Sequence, residues 1–201
     1  MGGTFNPPHV GHLLCAQEAL LDLGLDEVVL IPVNAPPHKA NEDDPGVAHR
    51  IAMCALAVAG EPLFSVSTIE AERPGPSYSV DTLEALHASR PGIELTFIVG
   101  GDMAAALPAW RDPERVVALA RFAVAERDGL GRELILERLS PVPGAVDRVS
   151  FFDMPRLDIS SSLIRRRVAA GRPIRYLVPD GVAQYIEREG LYGASPKGAS
   201  Q

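Results

Sequence analysis

Residues 1–24 read MGGTFNPPHVGHLLCAQEALLDLG. A Gly-Gly pair, a threonine, a Pro-Pro pair and two histidines stand directly before an apolar helical pattern. Gly2 and Gly3 let a backbone approach a ligand closely and take conformations that a Cβ forbids. Pro7 and Pro8 stiffen the turn, and proline suits a first helical turn because its missing N–H costs nothing there. The helix start itself offers unpaired N–H groups and a partial positive charge, a ready site for an anion. His9 and His12 share one face of that turn, and each imidazole can donate to a phosphate oxygen. Each element alone is a common structural device. Together, at this spacing, they serve no one packing purpose and read as a place for phosphate. Metal binding by the His pair is the lesser option, because neither cysteine nor carboxylate stands nearby to complete a site.

Downstream, apolar and β-branched runs alternate with helical patterns. Strands are expected at 27–32, 63–69, 94–99, 121–126 and 148–152, and helices at 47–60, 78–89, 113–120, 130–138, 160–171 and 179–189. That alternation means βαβ units: an α/β, Rossmann-like, doubly wound parallel sheet in a single domain, with a small helical C-terminal part. In such a fold a glycine-rich turn follows a strand, yet only Met1 precedes this one. The first strand is therefore read as missing before Gly2, with the assigned start inside a longer reading frame. The domain is expected over 1–192, and 193–201, small and polar, as a disordered tail.

With 201 residues, 46% hydrophobic and 22% charged, the chain can bury one sizeable core. A net charge of −7 argues against nucleic acid, where a basic face is expected, but leaves room for a local anion pocket. Cys15 and Cys54 form no CxxC and read as small buried side chains in a reducing cytosol. No apolar run reaches the roughly 18 residues of a membrane span, and a cytoplasmic protein is expected.

A second constellation, DISSSLIRRR at 158–167, reads as a polar turn capping a helix. Ser160 suits the N-cap, and Arg165 lies four residues after Ser161, on the same face. A guanidinium there can grip phosphate oxygens in a forked geometry. Three further stretches carry polar groups near strand ends or helix starts: IPVNAPPHK with His38 and Lys39, GPSYSVDTL with Ser79 and Thr82, and VGGDMAAALPAWRD with Gly100, Asp102, Trp110 and Arg111. By themselves Lys39 is a surface charge and a lone Trp is half-buried packing. Asp102, at a strand's C-terminal end, has the better claim, since it can accept from ribose hydroxyls.

GGTFNPPHVGH resembles the GxFxPxHxGH signature of the nucleotidylyltransferase superfamily, and ISSSLIR resembles its ISSTxIR motif with Ser162 for the usual Thr. The order and spacing of the other stretches, as far as VPDGVAQYIEREGLY, resemble the bacterial nicotinate-mononucleotide adenylyltransferases. The resemblance implies an enzyme that moves the adenylyl group of ATP onto nicotinate mononucleotide, giving deamido-NAD and pyrophosphate, with Mg²⁺ accompanying ATP. It implies catalysis by His9, His12 and Arg165. The ATP site would comprise Gly2, Gly3, Thr4, Phe5, His9, His12, Gly100, Asp102, Ile159, Ser160, Ser161, Ser162 and Arg165. The acceptor site would comprise His38, Lys39, Ser79, Thr82, Trp110 and Arg111, with Trp110 stacked on the pyridine ring and no protein metal site. Arg111 departs from the family, where an aromatic is often found. It strengthens carboxylate preference or points to solvent.

Alternatives stay open at this point: nicotinamide mononucleotide or phosphopantetheine as acceptor, a nucleotide sensor without turnover, or an RNA binder using Arg165–Arg167. Intact His9 and His12 weigh against a sensor, and the net charge weighs against RNA. Self-association into a homo-oligomer is left open.

Overall fold

The computed structural model describes residues 1–35, 43–126 and 130–194. Six parallel strands carry the fold: β1 (Gly2–Gly3), β2 (Val28–Pro32), β3 (Phe64–Val66), β4 (Thr96–Gly100), β5 (Arg121–Glu126) and β6 (Val149–Asp153). They hydrogen-bond as two three-stranded sheets, β1-β2-β3 and β4-β5-β6. β1 lies beside β4, where a Cβ on Gly2 would sit 3.5 Å from the Phe97 ring. Read across the molecule the order is 3-2-1-4-5-6, that of a doubly wound fold. Its order reverses between β1 and β4, and ligands of such sheets bind outside the strand ends at that point.

A strand is present at the position where one was expected to be missing. Gly2 and Gly3 pair with Ile31 and Pro32, so the glycine turn carries the strand's own last rungs.

Successive β-residues point to opposite faces, and both faces are buried here. Ile98, Ala123 and Ala125 pack with Cys15, Ala16 and Ala19 of α1 (Val10–Asp22) and Cys54 of α2 (Val47–Ala57). Their neighbours Val99, Phe122 and Val124 pack with α3 (Ser79–Ser89), α4 (Gly101–Ala105), α5 (Pro113–Leu119) and α6 (Arg132–Leu139). Burial pushes the Cys54 thiol up to about 12, as suits an inert core residue, and neither Cys15 nor Cys54 forms a disulfide. A satellite core joins Met53 of α2 to α7 (Ser161–Ala169) and α8 (Asp180–Arg188) through Ile164, Val168, Val182 and Ile186.

The expected spans are met within a few residues. The segment 63–69 shortens to β3, and α2 stops at Ala57, before Gly60 turns with φ +90°. The sequence reading missed α4 and a 3-10 turn over Leu107–Ala109, because AAALPA lacks a helical stripe long enough to register. Gly193, placed in the tail from sequence, closes a 3-10 turn over Leu191–Gly193 instead. Among the described residues no helix is long and apolar enough to cross a membrane.

Candidate active site

After β1 the chain turns through Phe5, whose φ is +49°, and enters α1 with His9 at the N-cap. Gly3 is required here: a Cβ on it would come 2.9–3.2 Å from the Phe5 ring. Gly11 leaves the histidine room: a Cβ there would lie 3.1 Å from His9 Nδ1, a tight contact. The two imidazoles stack with centroids 3.7 Å apart, and Phe5 meets His12 edge-on at 5.1 Å. His9 is only 5% exposed. Its backbone N–H donates to His12 Nδ1 at 3.2 Å, so in the neutral ring the His12 proton sits on Nε2.

The two constellations, far apart in sequence, come together. Ser160 caps α7 through Leu163 N–H at 3.2 Å, as its type and position predict. Ser161 Oγ donates to Pro7 O at 2.8 Å and Arg165 Nη1 donates to Asn6 O at 2.8 Å, bridging 154 and 159 positions. Arg165 Nε also lies 3.5 Å from the exposed Asp43 carboxylate. Ser162 is exposed, and Ile159 is half-buried against the satellite core. Arg166 faces solvent, while Arg167 donates twice to Pro173 O and closes the loop after α7.

Three residues that sequence reasoning passed over lie under this corner. Asn6, 2% exposed, donates to Asp43 O at 3.4 Å and accepts from Tyr192 Oη at 2.5 Å. Burial raises the Tyr192 hydroxyl well above its ordinary range, which keeps it a donor. Arg50, on α2, is 1% exposed and donates to Thr4 O, Val33 O and Asn34 O. The signal for Arg50 was an arginine inside an otherwise apolar helical pattern. Asn6 and Tyr192 carried none.

Beside this corner β4 ends at Gly100, the N-cap of α4, and Asp102 stands exposed in the first turn. Trp110 is half-buried and packs T-shaped against Phe97 and Phe122, with centroids 5.6 and 6.3 Å away. Its backbone N–H donates to Leu107 O, while the backbone N–H of Arg111 donates to no described residue. The Arg111 guanidinium lies 4.6 Å over the Tyr78 ring and 3.8 Å from Asp81, joining the Trp110 turn to the start of α3. Arg111 thus straps the Trp110 turn to α3 while its side chain stays 59% exposed. Ser79 is half-buried on the first turn of α3.

Thr82, expected at the acceptor, sits one layer too deep. It is 3% exposed, and its hydroxyl is engaged by Glu70 and Arg73 at 2.8 Å and by Tyr78 O at 3.3 Å. The packing of α3 turns this hydroxyl onto the segment after β3, which spacing alone did not reveal. His38 and Lys39 lie outside the described residues. Among the described residues no group of three His, Cys, Asp or Glu side chains is arranged to hold a metal ion.

The sequence matches the family described as cytidylyltransferase-like over residues 1–167. It is 46% identical to a probable nicotinate-nucleotide adenylyltransferase of Geobacillus thermodenitrificans, across 96% of this chain and 84% of that protein. It is 41% identical to the nicotinate-nucleotide adenylyltransferase of Bacillus subtilis, across 95% of each. The fold is similar to that of Plasmodium falciparum nicotinic acid mononucleotide adenylyltransferase complexed with NaAD, with a TM-score of 0.75 at 20% identity, over 95% of this chain and 94% of that one.

Proposed function

The chain belongs to the cytidylyltransferase-like family and, within it, to the nicotinate-nucleotide adenylyltransferases; from that premise we propose how its residues transfer the adenylyl group of ATP to nicotinate mononucleotide. The observation that carries the assignment of roles is the junction of Ser161 and Arg165 with the carbonyls of Pro7 and Asn6, which makes one phosphate corner out of both motifs.

An oxygen of the acceptor phosphate attacks the α-phosphorus of ATP, the bond from that phosphorus to the β-phosphate bridge breaks, and pyrophosphate leaves. The acceptor phosphate is already ionised near neutrality, so no side chain has to remove a proton. Catalysis is then in-line positioning and stabilisation of charge building on the phosphates. His12 donates from Nε2, an orientation fixed by the His9 N–H on Nδ1. His9 and Arg165 add donors from either side, and Gly2–Gly3, Thr4, Phe5 and Ser160–Ser162 line the nucleotide's path. Asp102 accepts from ribose, and Ile159 offers an apolar edge to the adenine. Magnesium, when bound with ATP, would neutralise triphosphate charge.

On the acceptor side the half-buried indole of Trp110 suits a pyridine ring. Ser79 Oγ and the Arg111 N–H suit a carboxylate, and His38 and Lys39 are assigned to phosphate. Thr82 acts through Arg73 and Glu70, behind the surface. In this reading the domain runs through the turn at Leu191–Gly193 and works in the cytoplasm. The purified protein with ATP, Mg²⁺ and nicotinate mononucleotide is expected to release pyrophosphate and deamido-NAD in equal amounts. Pyrophosphate release indifferent to the acceptor would overturn the reading.

A further inference from the structure

The β1–β2 ladder stops one rung early. Ile31 N–H donates to Met1 O at 2.9 Å and Val33 N–H to Gly3 O at 3.0 Å. In a parallel ladder the next rung is Phe5 N–H to Val33 O. That carbonyl is taken by Arg50 Nη1 at 2.6 Å, and the left-handed φ of Phe5 turns the chain away. The same nitrogen donates to Thr4 O at 3.0 Å, Nη2 donates to Asn34 O at 3.2 Å, and Nε donates to Asp44 Oδ1 at 2.9 Å. One buried cation thus holds the ends of β1 and β2 and the turn before α2.

The consequence follows from peptide geometry. The Thr4–Phe5 peptide is trans, so its C=O and N–H point in opposite directions. Fixing the Thr4 carbonyl on Arg50 aims the Phe5 N–H away from α2, and that N–H donates to no described residue. The same construction one strand over shows the effect: with Val33 O on Arg50, the Asn34 N–H turns outward onto Ser77 Oγ at 3.3 Å.

We propose that Arg50 is a positioning residue for adenylyl transfer: by capping the β1–β2 ladder it withholds the Phe5 N–H from the sheet and presents it to the nucleotide phosphates. The inference rests on the adenylyltransferase reading of the site. A lysine cannot replace the arginine, because one compact ammonium does not span three carbonyls and a carboxylate as a planar fork does.

The test compares wild type with Arg50→Lys and Asp44→Asn at 25 °C, reading ATP affinity by calorimetry, kcat and KM for both substrates, and the thermal midpoint. Arg50→Lys is expected to weaken ATP roughly tenfold and lower kcat roughly 10–100-fold, at a temperature where it is still folded. KM for nicotinate mononucleotide should move least. Should Arg50→Lys not fold, Asp44→Asn is expected to lower kcat at least threefold with a small change in midpoint. A purely structural arginine would lower the midpoint alone, and unchanged ATP affinity and kcat in the folded variant would overturn the proposal. ATP affinity is the arm independent of the acceptor. Wild type that binds ATP without using nicotinate mononucleotide would sink the functional reading while leaving Arg50 to be judged on binding, and wild type that binds no ATP would sink both.

Discussion

The loop after β1 and the turn after β4 stand side by side at the switch point of one fold, yet they are held in different ways. The β1 loop is clamped through its carbonyls: Arg50 on Thr4, Arg165 on Asn6, Ser161 on Pro7, with Tyr192 on the Asn6 side chain. These partners are buried or half-buried, where a hydrogen bond is not replaced by water without cost. The β4 turn is held by ring edges and by Arg111, whose side chain is 59% exposed and pairs with a half-exposed Asp81. Exposed pairs of that kind contribute about 0–1 kcal/mol. A loop meant to hold donors on a transition state benefits from rigidity. A turn meant to admit and release a flat ring does not need it. Substitutions in the first region should therefore act on kcat, and those in the second on KM for the acceptor.

The largest effect is expected from His12→Ala. Loss of one donor to developing charge should lower kcat by about 10²–10³-fold, with KM for ATP changing less. Steady-state kinetics with near-normal turnover in this variant would remove His12 from the chemistry and dissolve the contrast. Gly11→Ala comes next and separates stability from activity. Gly11 is the second residue of α1 and has no positive φ, so alanine there stabilises by up to about 1 kcal/mol through a less flexible unfolded chain. Its Cβ, 3.1 Å from His9 Nδ1, must nonetheless displace the imidazole. A thermal midpoint held or raised, together with kcat lowered about tenfold, is the expected pairing. Equal activity would mean that His9 tolerates displacement.

On the other side Trp110→Ala should raise KM for the acceptor about tenfold, the scale of one stacking contact plus its buried area, and leave KM for ATP nearly unchanged. A matching rise in KM for ATP would show that the two corners are not independent. Arg111→Ala is expected to do least. Removing an exposed ion pair and a cation–π contact together should raise KM for the acceptor about two- to fivefold. A fall in kcat of a hundredfold would show the strap to be part of the rigid corner instead.

The contrast also explains what could be read from sequence. The strands were legible because burial on both faces writes continuous apolar runs such as VVLI and FAVA. The two motifs that meet at Pro7 and Asn6 stood out because glycine, histidine, serine and arginine at fixed spacing have no cheaper explanation. The clamps were not. Asn6, Arg50 and Tyr192 act on backbone carbonyls or on one another across 16 to 186 positions, and such a bond leaves no local pattern. Thr82 failed for the reverse reason: a hydroxyl near a helix start has the chemistry of a ligand-binding group, but the packing of α3 turned it to Glu70. Arg111 was legible as a departure from the family, while its place over Tyr78 depended on the fold.

The central claim is that the clamped corner performs the transfer while the looser corner selects a carboxylate. The most direct measurement is kcat/KM for nicotinate and for nicotinamide mononucleotide, on wild type and on Ser79→Ala. A carboxylate site leaves the amide NH₂ facing other N–H donors, and such a mismatch supports a preference of roughly 10³-fold or more. The account predicts that preference in wild type and a narrower ratio in Ser79→Ala, chiefly through weaker use of nicotinate. Equal use of the two mononucleotides by wild type would contradict it.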